Sequence, residues 1–166
     1  DNLTSVKLGS KLTKIDDWAF VYDDKLTDIG QLPSSLTYIG DYAFYNCPLS
    51  EKIVIPDSVT YLGEGAFCCY KAGTSAMKDL TIGNGVTDIK DNAFQNNDKL
   101  ETVTIGSGIE QRSATAFKGC TSLKKVTINA SSDDVSIPEG TFADGVQVIF
   151  TVASIDAKDD KISDSK

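Results

Sequence analysis

Five carboxylates share one phase of this chain. Asp17, Asp41, Glu64, Asp91 and Glu139 each precede a phenylalanine, Phe20, Phe44, Phe67, Phe94 and Phe142, by three residues. Acidic groups about 4.8 Å apart, the spacing of stacked extended segments, repel one another unless a cation bridges them. That separation also resembles the carboxylate pair of a retaining glycosidase. A third reading is structural: each carboxylate caps a helical turn that follows it, accepting its free backbone N–H groups. The structural reading is preferred, because any stack of acidic repeats produces the spacing and nothing beside it implies a cleft. Ala114 breaks the column.

Composition narrows the remaining chemistry. There is no histidine, which removes the commonest general base, the Ser-His and Cys-His nucleophile pairs and the commonest transition-metal ligand. Cys47, Cys68, Cys69 and Cys120 match no paired Cys-x-x-Cys zinc spacing. Cys47 and Cys120 read instead as small buried residues at a bend. A disulfide between them is not expected, since three repeats separate them by about 14 Å where a bridge needs roughly 7 Å or less between Cα atoms. Gly83-Asn84-Gly85 and Gly106-Ser107-Gly108 resemble phosphate loops but fall where another repeat has Pro56-Asp57-Ser58, so they read as corners. No catalytic residue, metal site or cofactor is assigned. The net charge of −8 makes nucleic acid and anionic membranes poor partners. No apolar run is long enough to span a bilayer.

What must position these groups is a repeat. Ala-Phe recurs at Phe20, Phe44, Phe67, Phe94 and Phe117, and Thr141-Phe142 is a weaker copy, at intervals of 24, 23, 27, 23 and 25 residues. Aliphatic residues precede Phe by five (Ile15, Ile39, Leu62, Ile89), by eight (Leu12, Leu36, Val59, Val86) and by twelve (Leu8, Leu32, Ile55, Ile82). Self-similarity at this period marks a solenoid. One repeat buries nothing alone, and stacking turns each column into a strip of core. Repeats are expected near 3–22, 26–47, 49–70, 77–97, 100–120 and 123–142, with a closing strand at 146–152. The solenoid then occupies 1–153, and 154–166 is a polar tail or linker. The expected class is an α/β repeat solenoid: a right-handed stack of about six 23-residue rungs. A parallel sheet lies on one face, with short strands and helical turns on the other. Arg112 stands where aliphatic residues belong, so segment 110–114 is expected to shift and let its guanidinium reach solvent, Glu110, Asp133 or Asp134.

The string from Ile53 to Phe67, with its Ile-Pro corner, and the Ala-Phe-x-x-Cys ending resemble the BspA-like class of leucine-rich repeats. The resemblance covers roughly 3–142. It implies a curved solenoid from secreted or surface proteins of bacteria and some protists that adhere to host or microbial proteins. The expected role is therefore protein binding in an extracellular or cell-surface adhesion module, without enzymatic activity. A passive spacer presenting another domain is the alternative, and a glycan-active enzyme is a distant third.

Two surfaces are candidates. Every tyrosine and the single tryptophan fall in the first 70 residues, and aromatic residues dominate interface hot spots. Trp18 and Tyr42 share one column and Tyr38 and Tyr61 another, so each pair is expected to form a patch. The second candidate is the outward threonine ladder Thr81, Thr104 and Thr127, which is also favoured as cross-strand packing. The chain begins almost directly on its first repeat. This reads as a piece of a longer protein, with an open first rung available to further repeats or to end-to-end self-association.

Overall fold

The computed structural model describes residues 2–152; the expected tail at 154–166 lies outside them. Each rung contributes up to two strands. Segments of the form Leu/Val/Ile-x-Ile alternate as a half-buried strand should and produce β3 (Lys52–Ile55), β5 (Asp79–Ile82), β7 (Thr102–Ile105) and β9 (Lys125–Ser131). With β10 (Gln147–Val152) they form one parallel sheet in the order β10-β9-β7-β5-β3. Its register stacks like on like: Ile53, Leu80, Val103 and Val126 in one inward column, Ile55, Ile82, Ile105 and Ile128 in the next. All eight are buried. Two-residue strands cover a second face: β1 (Lys14–Ile15), β2 (Tyr38–Ile39) and β4 (Tyr61–Leu62) pair together, as do β6 (Asp88–Ile89) and β8 (Gln111–Arg112).

The first two rungs depart from the expected sheet. There the ladder is reduced to a single bridge, Ser5 to Asp28. The extra residue of the second repeat is absorbed at Gly30, whose φ is +60° and whose N–H donates to Asp28 Oδ1 at 2.8 Å. That local turn takes the segment out of extended register until β3.

Down the core runs a spine of phenylalanines. Phe20, Phe44, Phe67, Phe94 and Phe117 stack ring on ring with centroids 5.1–5.5 Å apart, while Phe142 is tilted 41° from Phe117. Phe142 belongs to the weaker sixth copy, where Thr141 stands in place of alanine.

The third face corrects an expectation: no helix occurs among the described residues. An α-helix consumes its interior N–H groups internally, whereas this segment divides them. The N–H groups of Trp18, Phe20 and Tyr22 donate to Asp41, Ala43 and Tyr45 carbonyls of the next rung at 2.8–2.9 Å. The alternate ones, from Ala19, Val21 and Asp23, close turns onto Asp16, Trp18 and Phe20. Such a chain needs a left-handed residue at intervals, and it has one two positions before Phe (Trp18, Tyr42, Gly65, Asn92) and another two positions after (Tyr22, Asn46, Asn96, Gly119).

Arg112 corrects a second expectation. Segment 110–114 does not shift: Arg112 stays in register opposite Ile89. Only 4% of it is exposed, and none of its guanidinium nitrogens has a partner. Desolvation lowers its pKa to about 10, which at about 1.4 kcal/mol per unit puts the burial cost on the order of 3 kcal/mol. Replacing Arg112 with isoleucine is expected to raise the melting temperature by roughly 5–10 °C in calorimetry at neutral pH. The advantage should shrink above pH 10, where the unfolded chain still holds a proton that the folded one has begun to release. A lower melting temperature would reveal an ion pair at Arg112.

Candidate functional site

The acidic column does not cap helical turns. Asp17 Oδ1 accepts the backbone N–H of Asp41, one rung on, at 3.0 Å and the hydroxyl of Tyr38 at 2.9 Å. Asp41 Oδ1 does the same for the N–H of Glu64 at 2.9 Å and the hydroxyl of Tyr61 at 3.0 Å. Glu64 Oε1 accepts from the Tyr42 hydroxyl. The carboxylates thus tie one rung to the next and anchor the aromatic side chains. Among the described residues no three metal-binding side chains converge on one point.

The two aromatic pairs are brought together. Tyr38 and Tyr61 stack with centroids 4.6 Å apart, and Lys14 places its ammonium over the Tyr38 ring, 4.5 Å from its centroid. Burial, seconded by the Asp17 hydrogen bond, pushes the Tyr38 phenol up to about 12. The Glu64 hydrogen bond, seconded by burial, does so for Tyr42. These phenols therefore remain donors at neutral pH. Trp18 and Tyr42 stack at 4.4 Å, but Trp18 is 52% exposed while Tyr38, Tyr42 and Tyr61 are half-buried.

Two further residues complete the surface. Tyr45 meets Tyr42 edge-on at 5.7 Å and Tyr22 at 5.3 Å, and Tyr22 is 55% exposed. Trp18, Tyr42, Tyr45 and Tyr22 therefore form a contiguous patch on the turn face. The signal that could have found Tyr22 is its column: the same position holds Asn46, Asn96 and Gly119, residue types that tolerate positive φ. Trp18 and Tyr42 stand likewise above Gly65 and Asn92. Bulky residues at φ between +54° and +61° are conformational outliers, and such outliers concentrate where function holds them.

The threonine ladder presents a different surface. Thr81, Thr104 and Thr127 are aligned across β5, β7 and β9 and half-buried. Charges at this edge pair between rungs: Lys78 with Glu51 at 2.6 Å, Lys124 with Glu101 at 2.7 Å, and Lys52 with Asp79 at 3.6 Å.

The cysteines are structural. Cys47 and Cys120 are buried and unbridged, and their thiols donate to the carbonyls of Phe20 and Phe94 one rung back at 2.9 and 3.3 Å. Asn97 fills the same role, donating to the Phe67 carbonyl at 2.9 Å. Burial pushes the Cys47, Cys68 and Cys120 thiols up to about 12. All four cysteines should therefore resist a disulfide reagent such as DTNB at pH 8 and react together on adding denaturant. Rapid labelling of the native protein would contradict this burial.

A family model described as the BspA type leucine rich repeat region matches in six copies, over residues 1–77 and 69–156. No curated protein sequence matches significantly. Among solved structures, a leucine-rich cell surface protein from Faecalibacterium prausnitzii A2-165 is similar, with a TM-score of 0.64 and 23% identity over 92% of this chain and 49% of that one. A leucine-rich repeat protein from Bacteroides ovatus ATCC 8483 gives 0.53 and 22%, over 89% of this chain and 45% of that one. The chain thus spans about half the length of these structures, and the likeness is one of fold.

Proposed function

The chain belongs to the BspA-type leucine-rich repeat family, and we propose that it acts as a protein-binding module of a cell-surface protein, by adhesion rather than catalysis. The observation that carries this reading is the patch of Trp18, Tyr22, Tyr42 and Tyr45, three of whose four residues adopt left-handed backbone. Repeats three and four build the column of Trp18 and Tyr42 with Gly65 and Asn92. The fold therefore does not need aromatic side chains there. Large amphipathic rings with few rotatable bonds supply contact area at low entropic cost, and exposed apolar clusters of this kind mark interaction sites. The cell-surface description of the Faecalibacterium prausnitzii structure supports the setting. Tyr38 and Tyr61, whose stack is closed on one side by Lys14 and whose hydroxyls are tied to Asp17 and Asp41, tie the neighbouring rungs together.

A capture assay on bacterial and host surface proteins tests the reading. The Trp18→Asn/Tyr42→Asn variant is expected to lose at least tenfold in affinity for the captured protein, as removal of two hot-spot residues does. A Thr104→Ala/Thr127→Ala variant should bind like the parent. The reverse pattern would place recognition on the sheet face.

A further inference from the structure

The face built from two-residue strands is interrupted between the third and fourth rungs. At the steps on either side, N–H groups reach back to the preceding rung. Tyr61 and Gly63 donate to the carbonyls of Thr37 and Ile39, and Gln111 and Ser113 to those of Thr87 and Ile89. The equivalent N–H groups of Asp88 and Lys90 make no such bond to Thr60 and Leu62, and β4 and β6 do not pair. The break coincides with the longest interval of the repeat, from Phe67 to Phe94. A cavity of about 350 Å³ lies there. The third rung contributes Tyr61 and Glu64 to it, and the fourth and fifth contribute Asp88, Lys90, Asp91 and Gln111.

One wall of the cavity is aromatic. Tyr61 stacks on Tyr38 through one face, and the next place in that column holds Asp88 rather than a third tyrosine. The adjacent Trp18–Tyr42 stack ends differently, because the Tyr42 ring fills the space that a Cβ on Gly65 would need. The rest of the lining is polar and of both signs. Asp41, Glu64, Asp88 and Asp91 each engage one carboxylate oxygen within the chain and, among the described residues, leave the other without a partner. Arg112 borders the same cavity, 4% exposed, and its guanidinium nitrogens are unpartnered.

We infer that this cavity binds a neutral pyranose sugar, seated with one ring face on Tyr61. The C–H bonds on a pyranose face carry slight positive charge and pack well on the negative face of an aromatic ring. Its hydroxyls donate to the free carboxylate oxygens. They accept from the Gln111 amide, the Lys90 ammonium and the open N–H groups of Asp88 and Lys90. The volume falls within the range of small-ligand sites, which combine an apolar surface with a few convergent polar groups. A guanidinium or ammonium ligand would bring donors alone and would meet Lys90 and Arg112. An anionic ligand would meet four carboxylates. A ring of hydroxyls answers both donors and acceptors. The site is separate from the proposed protein-binding patch and lies between interior rungs, so further repeats at either end would leave it unchanged.

Saturation-transfer NMR with the methyl glycosides of glucose, galactose, mannose and N-acetylglucosamine tests the assignment. At least one is expected to receive saturation, strongest on the C–H protons of one ring face. Asp88→Tyr gives the fourth rung the residue that the second and third carry in this column, and so fills the cavity while leaving Tyr61 in place. It should weaken binding of that glycoside about tenfold, as loss of the stacking surface and its hydrogen bonds would. Tyr61→Leu, which removes the ring and keeps the position apolar, should weaken it similarly. Circular dichroism melts establish which variants are folded. Thr104→Ala/Thr127→Ala, on the sheet face, should bind the glycoside like the parent. Absence of transfer to all of the glycosides would overturn the inference, as would equal binding by the parent and either folded cavity variant. Tighter binding of methylguanidinium than of any glycoside would also overturn it, in favour of a cation site.

Discussion

Each turn of the chain must keep the same distance from the next all the way round, because the next turn supplies its hydrogen-bond partners. In an isolated globular domain a loop can send its polar backbone groups to water. Here the turn segments donate across the rungs as the strands do, with Trp18, Phe20 and Tyr22 reaching Asp41, Ala43 and Tyr45. The phenylalanine spine at 5.1–5.5 Å and the parallel strands hold that pitch from inside. Small departures then have visible effects. The fifth rung substitutes Thr115 Oγ1 for the usual carbonyl as acceptor for Asn92, and the sixth tilts its Phe142.

The same constraint explains which parts of the architecture could be read from the residues. Columns such as Ile55, Ile82 and Ile105 are repeated signals, and they emerged in register. The turn face was misread because Asp-x-Ala-Phe carries a plausible helix start, and hydrophobic period alone cannot distinguish a helical turn from linked tight turns. The informative residues were Asn46, Asn92, Asn96, Gly65 and Gly119, whose types at two fixed offsets from Phe imply positive φ. Arg112 was misread for another reason. A charge in an aliphatic column was expected to move the backbone, but β8 is fixed by its pairing with β6, and the side chain follows its strand into the core. The aromatic pairs were found from their columns, while Tyr22 and Tyr45 were missed because they share no column with another aromatic.

On the proposed reading, binding falls to positions whose residue types the repeat does not fix. Inward columns are aliphatic apart from Arg112, Phe−2 and Phe+2 take positive φ in most rungs, and the corners after the strands hold Pro33, Pro56, Gly83 and Gly106. At Tyr22 a left-handed backbone costs a bulky residue about 1–2 kcal/mol, and its edge contact with Tyr45 returns roughly 0.5–1.5 kcal/mol. These terms nearly cancel, so stability offers little reason for tyrosine over the asparagine used at Asn46 and Asn96. The proposed binding role would supply one.

Thermal unfolding of a Tyr22→Asn variant, with and without the captured surface protein, puts this most directly to measurement. The account predicts an unliganded midpoint within about 3 °C of the parent and a partner-induced rise in midpoint that is clearly diminished. A midpoint lowered well beyond that range, with the partner-induced rise intact, would show that Tyr22 serves the fold and would contradict the account.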